Sequence, residues 1–283
     1  MNAMSSLNER TGPPGFTRQS PRPPPPVPEP RLRASPPVSP TQNALLGALP
    51  AEDYQRLLPH LELIRMEPGD IVFDAGCHLY HAVFPLEGIV SLLHVLQGGT
   101  STEIALVGNE GVLGIYLFLG GESSPPRRAV VLQRGFACRL KAEVLQREFD
   151  QCPAFRQLLL RSTQGLLTQI AQTAVCNRHH RIEQQLCRLL LLYLDRTAST
   201  EVYLTHEQIG NMLGVRREGV TEAAHHLQEA GLVAYRRGHV LVLNRAGLEH
   251  RACECYAVVK RETDRLLHIG DHPSGSAAVW QYS

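Results

Sequence analysis

The side chains with the most informative chemistry lie between Arg216 and His225, where charged and hydroxyl residues occupy positions that would face away from an apolar core. An arginine can donate two hydrogen bonds to guanine O6 and N7, and a glutamate can accept one from cytosine N4. If these residues lie on the outer face of a helix-turn-helix, they would form a surface that reads base edges in double-stranded DNA. The candidate base-reading residues are Arg217, Glu218, Thr221 and Glu222.

Two short predicted helices would position these side chains. Thr205 followed by Gln208 is a capping-box pattern, which predicts that a helix begins at His206. Gly214 can adopt the left-handed conformation of a tight turn, and Gly231 would end the second helix. This arrangement is typical of a helix-turn-helix, and its apolar inner face would be formed by Ile209, Leu213, Val220 and Leu227.

A β-hairpin with a basic tip is predicted after the second helix, from two short β-type runs at residues 232–235 and 240–243. A helix-turn-helix followed by such a hairpin is a winged helix. The alternative is a small helical packing module with a solvated basic loop, but the cap, turn glycine, apolar spacing and hairpin all agree with the winged helix. We predict that DNA phosphates are contacted by Thr205, Arg216, Arg236, Arg237 and His239.

The composition limits the other possible functions. The 283 residues carry 28 Lys and Arg against 27 Asp and Glu, so any contact with a polyanion must come from a local cluster such as residues 216–251. No long apolar run or N-terminal leader pattern is present, which predicts a cytoplasmic chain without a membrane partner. The sequence has no P-loop, HExxH, GxSxG or paired CxxC motif, so we predict neither an enzyme nor catalytic residues.

The pattern changes along the chain predict five segments. Residues 1–41 are rich in proline and are expected to be disordered. Residues 42–152 would begin with a short helix at 42–53 and continue as an antiparallel β roll. Residues 153–180 would form one long helix, residues 181–250 the winged helix with an apolar core helix at 182–195, and residues 251–283 a C-terminal tail. The predicted strands of the roll are 71–73, 80–84, 89–96, 103–107, 129–132 and 136–140.

The long helix carries an apolar seam with alternating spacings of three and four residues. This seam could lie on the sheet of its own chain, but the length of the helix favours self-association, so we predict a homodimer. The predicted interface residues are Phe155, Leu159, Leu166, Ile170 and Thr173.

The seven cysteines are scattered and do not suggest a disulfide framework or an iron–sulfur site. Cys253 and Cys255 have no partner pair nearby in sequence, so we predict no metal site and no cofactor. The alternative function is a haem or redox sensor whose chemistry lies in the roll, with Cys77, His78 and His81 as iron ligands. On a strand, however, Cys77 and His78 would point to opposite faces.

With this order of elements, the chain resembles the family of cAMP receptor protein and the fumarate and nitrate reductase regulator. The most specific part is EQIGNMLGVRREGV at 207–220; looser features are GDIVFDAG at 69–76, LEGIVSLL at 86–93 and GVLG at 111–114. The resemblance implies an α+β fold: an N-terminal cyclic-nucleotide-binding-type β jelly roll, a long dimerisation helix and a C-terminal winged helix-turn-helix. It implies a sequence-specific transcriptional regulator that acts as a homodimer on palindromic sites, with RNA polymerase as a further candidate partner.

The resemblance also carries residue roles and two departures. Arg217 and Glu218 match the arginine and glutamate of the family's recognition helix, whereas Glu222 stands where cAMP receptor protein has a second arginine and Arg216 stands at the usual serine or threonine cap. The family's ligand cassette corresponds to a degenerate pocket at Gly114, Ile115, Arg127 and Arg128. Ile115 cannot accept a hydrogen bond from a ribose hydroxyl, so we predict that the chain does not respond to cAMP.

Overall fold

The computed structural model describes residues 38–121, 126–236 and 238–267. Its N-terminal part is a β roll made of two antiparallel sheets with strand orders β1-β7-β3 and β2-β6-β4-β5. The predictions for residues 1–37 and 268–283 lie outside the described residues. The strands are β1 Glu62–Met66, β2 Ile71–Phe73, β3 His81–Pro85, β4 Ile89–Val95, β5 Ser101–Val107, β6 Arg127–Gln133 and β7 Gly135–Lys141.

All six predicted strands are found, with ends that shift by at most a few residues. Strand β1 was missed by the sequence prediction. Of its five residues only Met66 is buried, so the strand lacks the apolar alternation that marks a half-buried strand. The roll is therefore correctly predicted, except for an edge strand whose sequence is mostly solvent-facing.

The helix predicted at 42–53 is divided in the structure. A short 3-10 turn at Pro40–Gln42 is followed by α1 at Ala44–Gly47 and α2 at Ala51–Leu57. Pro50 takes the N-cap position of α2, and a proline cannot continue the preceding helix. Leu45, Leu46 and Leu49 are nevertheless buried on one side, as predicted.

Three helices follow the roll: α3 at Ala142–Gln151, α4 at Pro153–His179 and α5 at Ile182–Leu194. The prediction missed α3, which packs between the roll and α4. Helix α5 is buried almost all round, with Leu186, Leu190 and Tyr193 each fully covered, which confirms its prediction as a core helix. Among the described residues, no helix is both long and apolar enough to span a membrane.

The C-terminal part contains β8 Glu201–Val202, α6 His206–Leu213, α7 Arg217–Glu229, β9 Val233–Arg236, β10 His239–Val242, α8 Arg245–Arg251 and α9 Glu254–Leu267. Its three strands form one sheet of order β8-β10-β9. The predicted C-terminal tail contains a helix, α9, which packs along α4. Gln164 Nε2 on α4 donates to Glu262 Oε1 on α9 at 2.9 Å.

A buried carboxyl group lies where the roll meets the C-terminal part. Glu103 on β5 is 8% exposed and accepts a 2.6 Å hydrogen bond from the Ser91 hydroxyl. Met212 and Leu213 of α6 line the same small cavity as Glu103. Burial raises the pKa of Glu103 to about 8, although the Ser91 hydrogen bond and the charges of Arg188 and Arg196 act in the opposite direction.

This carboxyl group predicts a pH-dependent stability. The pKa of Glu103 in the folded chain lies above the ordinary value of 4.5. The contribution of Glu103 to the free energy of unfolding is therefore fully present below pH 4.5 and is lost as the pH rises through about 8. The slope is at most about 1.4 kcal/mol per pH unit. Glu103→Gln should remove this slope in urea unfolding measured over that range, while Glu143→Gln at an exposed site should retain it. Parallel curves for wild type and Glu103→Gln would show that Glu103 is charged in the fold.

Candidate nucleic-acid interface

The helix-turn-helix is built by local signals that the structure reproduces. The Thr205 hydroxyl accepts from the Gln208 amide at 3.2 Å, and the Thr205 amide donates to Gln208 Oε1 at 2.8 Å, so the predicted capping box is present. Gly214 ends α6 with φ of 66°, a left-handed conformation that favours glycine. At Gly210, a Cβ would lie 3.0 Å from the Val215 carbonyl oxygen, so the turn also needs a small residue there.

The predicted inner face of the motif is confirmed by burial. Ile209, Val220 and Leu227 are fully covered and Leu213 is 5% exposed. These side chains join the same core as α5, which fixes the orientation of α7 relative to the rest of the domain. The opposite face of α7 must therefore be turned to solvent.

The outer face of α7 is exposed, and the charged side chains toward its N-terminal end form no ion pair within the part of the chain that the structure describes. Arg216, Arg217, Glu218 and Glu222 are all exposed, and in the described part of the chain none forms an ion pair. A surface Arg–Glu ion pair, the simple alternative to base reading, is thus not formed by Arg217 and Glu218. A shallow open groove on this face is lined by Arg217, Glu218, Thr221, Glu222 and His225.

The Thr221 hydroxyl makes hydrogen bonds within the helix-turn-helix. Its hydroxyl donates to the Arg217 carbonyl oxygen at 3.0 Å and lies 3.1 Å from His206 Nδ1. Because the hydroxyl hydrogen is used in the first bond, the hydroxyl oxygen accepts from Nδ1–H of a neutral imidazole that carries its hydrogen on Nδ1. Burial, followed by the charge of Arg217, lowers the pKa of His206 and favours this neutral ring. The hydroxyl keeps one acceptor lone pair, and the Thr221 methyl group is suited to contact a thymine methyl.

The wing is attached to both helices of the motif. His239 pairs with Arg236 across the hairpin, and the His206 ring lies 4.8 Å from the Tyr235 ring in an edge-on arrangement. One groove is lined by Thr205, His206, Arg217, Arg236 and His239, which brings predicted phosphate-contacting residues and a base-reading arginine together. Arg216 lies at the N-cap of α7 without a side-chain cap. Arg237 lies outside the described residues.

Part of the predicted dimer seam lies against the roll of the same chain. Phe155 and Leu159 are 1% and 0% exposed and lie in the core formed with the roll of the same chain. Leu166 and Ile170 also pack against that roll, and Thr173 accepts from Arg188 Nη2 at 2.6 Å. The roll of the same chain therefore covers Phe155 and Leu159, whereas Leu166, Ile170 and Thr173 are only partly buried.

A different face of α4 has the spacing of a coiled-coil seam. The exposed positions again alternate by three and four residues, and Leu160 and Leu167 are 44% and 59% exposed. Helix α9 lies beside this face, next to Gly165, and contacts it through the hydrogen bond from Gln164 to Glu262, while Leu160 and Leu167 stay exposed. We name it the outer stripe; it consists of Gln157, Leu160, Gln164, Leu167, Ala171, Ala174 and Arg178.

The degenerate pocket is occupied by internal contacts. Gly114 has φ of 90° and begins a 3-10 turn, which places the 6% exposed Ile115 in the core rather than toward a ligand. Arg127 Nη1 donates to the Tyr116 hydroxyl at 2.6 Å, and its guanidinium carbon lies 5.6 Å from the Tyr116 ring centroid.

Arg128 is held by a carboxylate. Its Nε and Nη2 donate to the two oxygens of Asp74 at 2.7 and 3.1 Å. Hydrogen bonds from Arg128 and from the Ala75 amide lower the pKa of Asp74. A cyclic phosphate would have to displace this carboxylate to bind the guanidinium.

The cysteine and histidine residues fall into two groups. Cys77, His78 and His81, the iron ligands of the alternative function, do not converge: His78 and His81 line an open groove, but no group of three ligand atoms forms there among the described residues. In contrast, Cys253 and Cys255 lie beside Cys176 and His180, with all four ligand atoms within 4.8 Å of one another. The sequence prediction missed this group because Cys176 and Cys253 are 77 residues apart.

Comparison with known proteins matches this geometry. The family described as the Crp-like helix-turn-helix domain matches residues 184–251, which span α5 to α8. Residues 184–251 are thus a Crp-like helix-turn-helix domain, and the chain is similar to transcriptional regulators of the CRP/FNR type. The global nitrogen regulator of Synechococcus elongatus is 23% identical over 202 residues, covering 68% of this chain and 90% of that protein.

Solved structures of other proteins have the same fold as this chain. FixK2 from Bradyrhizobium japonicum has a TM-score of 0.58 and 17% identity, covering 68% of this chain and 98% of its own. A CRP/FNR-family transcriptional regulator from Thermus thermophilus has a TM-score of 0.56 and 21% identity, with coverage of 68% and 98%. The predicted α+β fold, with a cyclic-nucleotide-binding-type roll and a C-terminal helix-turn-helix, is thereby confirmed.

Proposed function

We propose that this DNA-binding regulator acts as a homodimer on palindromic sites and does not respond to cAMP. The observation that carries the proposal is the exposed face of α7, where Arg217 and Glu218 have no ion-pair partner among the described residues and adjoin the wing. Unpaired donors and acceptors on a recognition helix are available to base edges without the cost of breaking an internal bond.

The residues of the interface divide into two classes by what they reach. Arg217 contacts a guanine and Glu218 a cytosine, while the Thr221 methyl and Glu222 complete the reading surface. Thr205, Arg216, Arg236, Arg237 and His239 contact phosphates and so set the position of the helix in the groove. Glu222, an acceptor in place of the arginine that the resemblance would place there, favours a different base pair at the inner position. RNA polymerase as a partner remains a prediction.

The outer stripe supplies the dimer interface. Pairing two outer stripes around a two-fold axis buries Leu160 and Leu167 of both copies, which are large and exposed in the single chain. A two-fold dimer presents two copies of α7 to successive major grooves about 34 Å apart. The expected site is therefore a palindrome with half-sites separated by one helical turn.

Selection of bound duplexes from a random pool tests this function. The full chain should enrich one palindromic sequence whose half-sites lie about 10 base pairs apart from centre to centre. The same selection with Glu218→Gln, which keeps the size of the side chain but removes its charge, should enrich a pool altered at one position in each half. Enrichment of sequences without symmetry would contradict the dimeric arrangement, and no enrichment would contradict sequence-specific binding.

cAMP should leave both stability and DNA binding unchanged. Ile115 offers no acceptor for the ribose, and Asp74 occupies the guanidinium of Arg128. A ligand at one hundred times its dissociation constant stabilises a protein by about 2.7 kcal/mol, which a thermal melt resolves easily. The selected duplex serves as the positive control, since it should raise the melting temperature under the same conditions. A clear rise with millimolar cAMP would overturn the assignment of the roll as unresponsive.

A further inference from the structure

Three cysteines and one histidine converge at the end of α4. Cys176 lies in the last turn of α4 and His180 caps that helix, while Cys253 and Cys255 lie where α8 gives way to α9. Cys176 Sγ is 3.5 Å from Cys253 Sγ, and Cys255 Sγ is 3.6 Å from His180 Nδ1. All four ligand atoms lie within 4.8 Å of one another.

We propose that these four side chains bind one Zn²⁺ ion in a tetrahedral site that fastens α9 to the end of α4. Zinc forms bonds of ~2.3 Å to sulfur and ~2.0 to 2.1 Å to nitrogen, so a tetrahedron around it has edges of roughly 3.5 to 3.8 Å. The two separations above match these edges. A site with four thiolate and imidazole ligands from the protein is typical of structural zinc. A catalytic zinc site has three protein ligands and leaves one coordination position for water or substrate.

The surroundings of the histidine support a metal ligand. His180 Nδ1 faces the cysteines, and its other nitrogen, Nε2, lies 3.3 Å from the Glu254 carboxylate. A carboxylate behind a ligating histidine fixes the ring orientation and strengthens the metal bond. Gln185 Nε2 also donates to the His180 carbonyl oxygen at 2.9 Å, which holds the backbone of the ligand in place.

The burial and charge of the region fit the same ion. Cys176, Cys253 and Cys255 are 0%, 5% and 0% exposed, and they form a separate buried cluster. Three thiolates and a neutral imidazole give the zinc complex a net charge of −1, which needs a nearby cation when buried. Arg188 is 4% exposed, binds Thr173 one turn before Cys176, and its Nε has no hydrogen-bond partner among the described residues.

Other uses of the cluster fit less well. A disulfide needs a sulfur separation of ~2.05 Å, whereas the cysteines here are free and Cys176 and Cys253 remain 3.5 Å apart. In a four-iron cluster each ligand binds a different iron, which would require the ligand atoms to be spread farther apart than a single-ion site. Cys253 and Cys255 lie just after the region that matches the Crp-like helix-turn-helix domain, which ends at residue 251.

Metal analysis of the full chain tests the proposal. Protein purified under reducing conditions from zinc-supplemented cells should contain about one zinc per chain, and Cys176→Ser or Cys255→Ser should lose it. Cys187→Ser and Cys138→Ser are matched controls, because both cysteines are buried outside the cluster and should retain the metal. Glu254→Gln keeps every ligand and should weaken zinc affinity by about 10- to 100-fold in competition with a chromophoric chelator.

A second measurement does not depend on folding of the variants. Cobalt added to metal-free wild type should give the thiolate charge-transfer and intense ligand-field absorption of a tetrahedral site, and added zinc should remove it. Wild type that carries no zinc and shows no cobalt spectrum would overturn the proposal. A Cys176–Cys253 disulfide in protein alkylated at lysis, or the visible absorption of an iron–sulfur cluster, would overturn it as well.

Discussion

Replacing Leu160 and Leu167 together with lysine should convert the regulator from a dimer into folded monomers. Both side chains project from the outer stripe, where they are 44% and 59% exposed, so the single chain tolerates the change. In the dimer, four lysines would be buried against one another without partners, at a large desolvation cost. Light scattering at micromolar concentration measures the mass, and circular dichroism checks that the fold is retained.

The same double variant should lose most of its affinity for the selected palindrome. A dimer binds both half-sites as linked events, and such linkage strengthens binding by about 100- to 10,000-fold over a single half-site. The matched control is Leu63→Lys with Leu119→Lys, two equally exposed leucines of the roll that should leave the dimer intact. A double variant that remains dimeric, or a wild type that is monomeric, would contradict the assignment of the outer stripe.

Helix α4 shows why periodicity alone does not locate a dimer seam. Its sequence repeats by threes and fours on two faces, one through Phe155 and Leu159 and the other through Leu160 and Leu167. Periodicity reports that a face is suited to packing but does not say what covers it. The more apolar face lies on the roll of the same chain, where its side chains are removed from water within one chain.

The helix-turn-helix was predictable because its signals are local. The Thr205 and Gln208 capping box, the left-handed Gly214 and the hairpin around Gly238 are each fixed by a few consecutive residues. The exposure of Arg217 and Glu218 then follows from the burial of Val220 and the rest of the inner face. What the sequence could not reveal is that the Thr221 hydroxyl is taken by His206 and Arg217, since that contact joins two helices.

The cysteine cluster and α9 mark the limit of sequence reasoning. Cys176 and Cys253 are 77 residues apart, and only the packing of α9 along α4 brings them together. Cys176 and His180 have the i, i+4 spacing of helical metal ligands, but one such pair without its partners does not predict a site. Residues 254–267 were assigned to a tail because the sequence does not indicate which surface the apolar side of α9 would pack against.

Replacing Arg217 with alanine should abolish discrimination at one base pair in each half-site. The bidentate contact with guanine is worth about 1 to 3 kcal/mol of discrimination, which is roughly 5- to 150-fold in affinity. Arg217 is exposed and helical, so the truncation leaves the inner face and the capping box unchanged. The loss should therefore appear in recognition of the site rather than in the stability of the domain.

Arg236→Ala is the matched control, since it removes an arginine from the wing instead of the recognition helix. Phosphate contacts carry no direct sequence information, so this variant should bind all duplexes more weakly and by a similar factor. The slope of the logarithm of the binding constant against the logarithm of the salt concentration should also become shallower, by the equivalent of about one phosphate contact. A change in base preference for Arg236→Ala would mean that the wing reads sequence directly.

The most direct test of base reading is the ratio of affinities for the selected duplex and for duplexes that carry a single mismatch at each position, measured over a salt series. Wild type should show a ratio well above one at the guanine opposite Arg217, and Arg217→Ala should bring the ratio at that position alone close to one. If Arg217→Ala weakens binding to matched and mismatched duplexes equally and leaves every ratio unchanged, Arg217 does not read a base.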